Sequence, residues 1–359
     1  MFWRKPAAST VSSAWAENCR PDGCTVTEKL ETEVTVAVIY WVSLGTNYGQ
    51  PPILPSIQSP LGALPSRFRR ERVLIVGCGD VGQRVAGLLR RNVRVVALTS
   101  STARVSELRA QGVVPLLGNL DNPDSLRRLA GISTRVVHLA PPPAHGWQDL
   151  RTQALLQVLR LRTSPAACVY GSTSGVYGDC AGAWIDETRT TNPDSPRARR
   201  RQHAEDCVRF FGRSAGIRTH TLRIPGIYAP DREGGTPRAR LLKRTPVLCA
   251  EEDVYTNHIH ADDLARACVL AMWRGRAQRV YNTNDDTALK MGDYFDLAAD
   301  LYDLPRPPRV SRAGATEQLP LMLLSFMGES RRMVNRRLKQ ELGLRLRYPT
   351  VREGLVSLA

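Results

Sequence analysis

The sequence predicts an α/β fold, a doubly wound parallel sheet with a smaller C-terminal lobe, on three observations. Short runs that are apolar throughout, such as Arg72-Val-Leu-Ile-Val76, suit strands buried on both faces of a parallel sheet. These runs alternate with helical patterns through short connections, as repeated strand–helix–strand units do. The first run leads straight into Gly77-Cys-Gly79-Asp-Val-Gly82, glycines placed where a strand gives way to a helix.

In chain order, strand Arg72–Val76 precedes a helix with Val81, Val85, Leu88 and Leu89 on one side. Strand Arg94–Leu98, a helix over Thr102–Ala110, strand Val113–Leu117, a helix over Asp124–Ala130 and strand Arg135–Leu139 follow. A helix from about Trp147, strand Ala167–Tyr170, a helix through Arg200–Phe211 and strand Arg218–Ile224 complete the alternation. Beyond Pro225 only short strands are expected, Asn257–His260 and Arg279–Asn282, with helical patterns at Asp262–Trp273, Met291–Tyr302 and Ser330–Leu342. The expected organisation is a poorly ordered extension over 1–68, a dinucleotide-binding domain over 69–230, and a smaller substrate lobe over 231–359. The segment near 257–283 is expected to return and support the sheet. The extension is inferred from Pro51, Pro52, Pro55, Pro60 and Pro65, since proline fixes φ and removes a donor; its one periodic piece is Glu33–Ser43.

The chain has 359 residues, with 50 Lys+Arg against 34 Asp+Glu, a net charge of +16. Only five of the basic residues are lysine, an imbalance that points to a GC-rich coding sequence rather than to selection of each arginine. A nucleic-acid partner is therefore disfavoured against an arginine-decorated surface. The eight cysteines form no C-x-x-C pair and mostly sit in or beside apolar runs, so a reduced, cytoplasmic protein without a structural metal is expected. No run approaches the ~18 apolar residues of a membrane span, and the start lacks the apolar core of a secretory signal. The expected partner is a small molecule rather than a membrane, with the chain a monomer or a homodimer.

The glycine turn assigns a phosphate site. Gly77 permits the tight turn, Gly79 lets a pyrophosphate approach the backbone, and Gly82 lets the helix pack on its strand. The main chain of Cys78, Asp80 and Val81 then faces the anion at the positive helix end. A carboxylate for the adenosine ribose belongs at the end of the second strand, about 20 residues on. This chain has Thr99-Ser100-Ser101-Thr102 and then Arg104 there, with no acid, which favours NADP(H) over NAD(H).

Five further segments resemble the extended short-chain dehydrogenase/reductase superfamily, in its NAD-dependent epimerase/dehydratase branch. Gly118-Asn119-Leu120 is similar to the segment after the third strand that meets the adenine. Val136-Val-His-Leu139-Ala140 is similar to the fourth strand, whose end lies against the cofactor. Ser172-Thr-Ser-Gly-Val-Tyr-Gly178 resembles the element bearing the catalytic Ser/Thr, which falls on Thr173. Leu222-Arg-Ile-Pro225-Gly-Ile-Tyr228 resembles the turn beside the nicotinamide, and His258-Ile-His-Ala-Asp-Asp-Leu264 the segment leading into the second lobe. The resemblance spans residues 69–359. It departs at Ser195-Pro-Arg-Ala-Arg-Arg-Arg201, where the family's Tyr and Lys are replaced by Arg197 and Arg201. Arg201 can hold ribose hydroxyls, but a guanidinium exchanges no proton near neutrality. This replacement, with Ser330–Gly343 and the ending Tyr348-Pro-Thr-Val-Arg-Glu-Gly-Leu355, is similar to the atypical YeeZ-like group, whose members are described as sugar-nucleotide epimerases.

Tyr177 is the candidate substitute base, against a packing role for it. His203 is placed about 200° around its helix from Arg201. His258, His260, Asp262 and Asp263 read as structural and helix-capping residues rather than metal ligands, and no metal is expected. The bases Arg331, Arg332, Arg336, Arg337 and Lys339 read as a solvated helix. The implied function is an NAD(P)-dependent epimerase/dehydratase-like oxidoreductase or isomerase on a nucleotide sugar or similar polar substrate. The alternative is a nucleotide-binding sensor or scaffold without turnover.

Overall fold

Strand β1 (Glu71–Val76) has Val73, Leu74, Ile75 and Val76 all fully buried, because both faces of the sheet are covered. Val73 and Ile75 join one apolar cluster and Leu74 joins another with Val76, the period of two that a strand imposes. This computed structural model describes residues 71–89 and 93–356. The expected extension over 1–68, with its periodic segment Glu33–Ser43, lies outside the described residues.

Around β1 stand β2 (Val93–Thr99), β3 (Val114–Leu117), β4 (Arg135–His138), β5 (Ala167–Thr173), β6 (Arg218–Ile224) and β7 (Arg279–Asn282). The sheet runs β7-β6-β5-β4-β1-β2-β3 and every pairing in it is parallel. The order reverses between β1 and β4, so a crevice opens at their carboxyl ends, where open α/β sheets place ligands. The six predicted strands are thus present, and Arg279–Asn282 returns as a seventh at the edge of the sheet.

On one face pack α1 (Asp80–Leu89) and, from much later in the chain, α5 (Ala261–Arg274); on the other lie α3 (Leu150–Leu159) and α4 (Pro196–Ala215). A short α2 (Arg104–Ala110) follows β2. α1 buries Val81, Val85, Ala86 and Leu89 but turns Leu88 outward, 49% exposed, correcting the expected apolar side. α4 is stopped at both ends by its own residues. The Ser195 hydroxyl accepts from Ala198 N, Pro196 fills the first turn where no donor is needed, and Gly216 closes the helix at φ +64°. The expected helix at Asp124–Ala130 is a tighter 3₁₀ segment, Pro123–Leu129.

A separate apolar cluster gathers Tyr228, Leu241, Val247, Leu248 and Val254 with Met291, Tyr294, Phe295 and Ala298 of α6 (Met291–Leu301), and with Val351 and Leu355. The expected helix at Ser330–Leu342 is the largest departure. Arg332–Met333 instead forms a strand beside Trp184–Ile185, and only Arg336–Gln340 is helical. Side chains from elsewhere make extension the better solution there: Asn257 bonds the backbone at Arg331 O and Met333 N, and Asn284 bonds Met333 O. Among the described residues no helix is long and apolar enough to cross a membrane.

Candidate active site

The crevice between β1 and β4 is closed at its floor by a backbone contact that only glycine allows. Leu139 N and Ala140 N both donate to Val76 O, at 2.7 and 3.1 Å. Gly77 sits opposite at φ +88°, and a Cβ on it would stand 2.7 Å from Ala140 Cα and overlap its nitrogen. Gly82 is equally constrained, since a Cβ there would lie 2.9 Å from Gly77 O and 3.3 Å from Ile75 Cγ2. Gly79 is the opposite case: a Cβ would meet nothing within 4 Å. Its surface is open toward the cavity, as a site for an approaching ligand requires.

The first helical hydrogen bond of α1 runs from Gln83 N to Gly79 O. The N–H groups of Asp80, Val81 and Gly82 precede it and have no acceptor within the helix, so the positive end of α1 faces the same opening. The Cys78 side chain is buried in the core beside Val81 and Val85, leaving its main chain alone at the turn; burial raises its thiol pKa. Asp80 is held by Arg84 at 3.1 Å, and Arg84 also pairs with Asp231 and Asp262.

A cavity of about 240 Å³ extends from these glycines to Thr173 and α4. Gly77, Gly79, Asp80, Val81, Gly82, Leu139, Thr173, Arg201 and Pro225 of the predicted residues line it. Cys78, Thr99, Ser100, Arg104, Asn119, Leu120, Ala140 and Tyr177 do not. Thr99 ends β2 and Ser100 follows it, with Thr99 Oγ1 accepting from Ser101 N at 3.2 Å. Arg104 is paired to Glu107 at 3.4 Å on the surface. Asn119 is fixed by its backbone N–H to Ser125 Oγ, and Leu120 packs against the core.

Thr173 ends β5, and its Oγ1 accepts from Gly175 N at 3.3 Å, capping the 3₁₀ turn Ser174–Tyr177. Ser172, which the sequence reading passed over, also lines the cavity; its hydroxyl donates to Glu205 Oε1 at 2.6 Å. Glu205 is ion-paired with Arg223 at 2.8 Å, both almost wholly buried. Below them Tyr177 is 1% exposed, its hydroxyl donates to Asn282 Oδ1 at 2.7 Å, and Arg223 lies over its ring. Burial pushes its phenol up to about 12. These facts put Tyr177 in a buried network rather than against the cavity, which corrects its reading as a substitute base.

Arg197 and Arg201 stand one turn apart on α4 and both reach the cavity, as i, i+4 spacing requires. Arg201 is buried, and its Nη1 donates to Ala140 O, Gly171 O and Tyr170 Oη at 3.2, 2.8 and 3.1 Å. It thereby ties the ends of β4 and β5 together, a structural task the sequence does not reveal. His203 turns away, its Nδ1 accepting from Asp149 N at the start of α3. His260 Nδ1 caps α5 by accepting from Asp262 N, while buried Asp263 accepts from the backbone of Arg347 and Tyr348. The cap is therefore His260, which corrects the capping role expected of Asp262 and Asp263. Arg331 is also corrected: it is buried, and its Nη1 donates to Gly178 O at 2.8 Å beneath the Thr173 turn. Arg332 packs over Trp184 and Tyr255, and Arg337 pairs with buried Glu187.

A second hollow of about 480 Å³ shares no lining residue with the first; Asp179, Glu251, Glu252, Asp253, Lys290 and Arg312 supply its charges. Among the described residues no group of three or more His, Cys, Asp and Glu side chains is gathered to hold a metal ion.

The model of the NAD dependent epimerase/dehydratase family matches residues 73–283. A functionally unknown conserved protein from Silicibacter pomeroyi DSS is similar at 29% identity and a TM-score of 0.68, over 80% of this chain and 98% of that one. UDP-glucose 4-epimerase from Thermotoga maritima, solved with UDP-glucose, is 18% identical with a TM-score of 0.67, over 79% and 96% of the two chains. UDP-glucuronic acid 4-epimerase from Bacillus cereus, solved with NAD, is 18% identical with a TM-score of 0.64, over 79% and 96%. The likeness to these two epimerases is one of fold. No curated protein matches this chain.

Proposed function

Because the chain belongs to the NAD dependent epimerase/dehydratase family, we propose that it is an NAD(P)-dependent epimerase/dehydratase-like enzyme acting on a nucleotide sugar or a similar polar small molecule. The observation that carries this reading is the open surface of Gly79 beside unpartnered helix N–H groups, with the Thr173 hydroxyl across the same cavity. Gly77, Gly79 and Gly82, with the main chain of Cys78, Asp80 and Val81, would hold the pyrophosphate. Thr99, Ser100 and Arg104 would receive a 2′-phosphate, so NADP(H) is favoured over NAD(H). The exposed Arg104–Glu107 pair is a weak competitor for that anion. Asn119 and Leu120 would meet the adenine, and Leu139, Ala140, Arg201 and Pro225 the nicotinamide end.

A nicotinamide, when bound, supplies a hydride acceptor or donor. The chain's own part is to hold the substrate oxygen against Thr173 and to keep a positive charge beside it through Arg201. Ser172, anchored on Glu205, braces that strand end. Of the cavity's ionisable side chains, three are arginines and the fourth is the ion-paired Asp80. That observation favours a second reading, a nucleotide-binding sensor or scaffold without turnover, since the lining includes no histidine, tyrosine, lysine or unpaired carboxylate to serve as general acid or base. Titration with NADPH and NADH by fluorescence tests the shared site; absence of binding to either ends both readings. Stopped-flow reduction of bound NADP⁺ by nucleotide sugars then separates enzyme from sensor.

A further inference from the structure

The charges lining the cavity do not balance. Three guanidiniums line it, those of Arg197, Arg201 and Arg232, against the one carboxylate of Asp80. Asp80 is already engaged by Arg84 at 3.1 Å and by Arg232 at 3.5 Å. Arg201 donates through Nη1 to two carbonyls and a phenol, all neutral. Among the described residues no carboxylate pairs with Arg197. Arg197 is an exposed residue at the mouth of the cavity; partial desolvation of its guanidinium there, then Arg201 and Arg200, lowers its pKa. The buried arginines around the Thr173 end are treated differently: Arg223 has Glu205 and Arg331 has Glu329. Arg199 and Arg200, beside Arg197 in sequence, are also accounted for, by Pro193 O and the Trp147 ring and by Gly146 O. Two like charges one helical turn apart, facing a hollow with the hydroxyls of Ser172 and Thr173, are a receptor lacking its counter-ion.

We infer that this end of the cavity takes a polyhydroxylated substrate bearing its own oxyanion, a carboxylate or a phosphate, gripped by Arg197 in the field of Arg201. The inference rests on the substrate being read into this cavity, and it narrows that substrate to an acidic one whose anion lies beside the group held at Thr173. The planar fork of a guanidinium matches either oxyanion, while the Ser172 oxygen, its proton given to Glu205, can accept from a neighbouring hydroxyl and Thr173 can donate to one.

The test uses the full chain with saturating NADP⁺, so that anions do not compete for the glycine turn. Glucuronate, glucose 6-phosphate and neutral glucose are titrated by calorimetry. One or both of the acids should bind at least about tenfold more tightly than glucose, the better one naming carboxylate or phosphate as the preferred anion. In Arg197→Gln that preference should vanish, in Arg197→Lys it should partly survive, and NADP⁺ affinity should stay within about twofold of the parent. Glucose binding as well as both acids in the parent would overturn the inference without need of any variant, and so would acid binding that is unchanged in Arg197→Gln. If NADP⁺ itself fails to bind, the nucleotide reading falls, while the same titration on the unliganded protein still decides for or against Arg197.

Discussion

Replacing Gly79 and Gly77 separately should pull ligand binding apart from folding, because the two glycines are required for opposite reasons. At Gly79 a Cβ meets nothing within 4 Å, so Gly79→Val disturbs only a residue before a helix, at a cost of about 1 kcal/mol or less. For a chain of 359 residues that is a fall in Tm of about 1–2 °C. Its branched side chain, however, would occupy the surface that a pyrophosphate must approach, and NADPH affinity should fall about a hundredfold or more. Gly77→Ala meets the reverse situation. Its φ of +88° costs an L-residue roughly 1–2 kcal/mol, and overlap with the Ala140 backbone adds roughly 1–3 kcal/mol. A total of about 2–5 kcal/mol lowers Tm by about 3–9 °C. Thermal melts by circular dichroism and NADPH fluorescence titration measure both quantities on the same samples. NADPH binding at parental affinity by Gly79→Val would refute the phosphate assignment, and an unchanged melt for Gly77→Ala would refute the close approach of β1 and β4.

Glu205→Leu should leave Arg223 charged and unpaired beneath the cavity, destabilising the fold by about 3–5 kcal/mol; urea unfolding reads this, and a shift under 1 kcal/mol would contradict the buried pair. Burial, reinforced by Arg201, lowers the His138 pKa to about 3, so between about pH 6.5 and 3 the unfolded chain binds a proton that the folded chain refuses. Stability should therefore fall as pH drops through that window, and His138→Gln should flatten the slope of denaturation midpoints by about 1 kcal/mol per pH unit; an unaltered slope counts against a neutral, buried imidazole. Arg104→Ser removes a cation from the end of β2, so its NADPH affinity should drop about tenfold with NADH affinity unchanged, whereas equal losses for both would argue against a 2′-phosphate there.

The sheet could be read from the sequence because each of its central strands states its burial locally. Val73–Val76 is apolar at every position, which nothing but a doubly covered strand needs, and the start of α4 is written in Ser195-Pro196. The role of Gly82 is equally local, as it packs on Ile75 and Gly77, whereas the constraint on Gly77 comes from the Ala140 backbone at the end of β4. What escaped the sequence was set by contacts far along the chain. The Ser330–Leu342 segment has helical spacing, yet Asn257 and Asn284 hold it extended, and a pattern search sees no such partners. Arg331 looked solvated because its acceptor, Gly178 O, lies 153 residues earlier. Tyr177 sits in a recognisable Val-Tyr-Gly turn, but the direction of its hydroxyl is decided by Asn282 on the edge strand β7. Arg197 and Arg201 were singled out by position, whereas the absence of a carboxylate beside Arg197 is visible only in three dimensions.

The late strand Arg332–Met333, paired beside Trp184–Ile185, imposes a schedule on the growing chain. Residues through β5 leave the ribosome early, and the glycine turn can close on Ala140 as soon as β4 has formed. The turn carrying Thr173 must wait for Arg331, which reaches Gly178 O and Ser174 Oγ across separations of 153 and 157 residues. At about 5–20 residues per second, that delay is roughly 8–30 s. During it, the backbone beneath Thr173 lacks its brace and the buried faces of Ile185 and Cys180 lack Met333, their neighbour in the finished cluster. A nascent chain stalled before Ser330 should therefore carry a formed nucleotide crevice beside an unfinished substrate end, and that half-built state is where a chaperone would find exposed apolar surface.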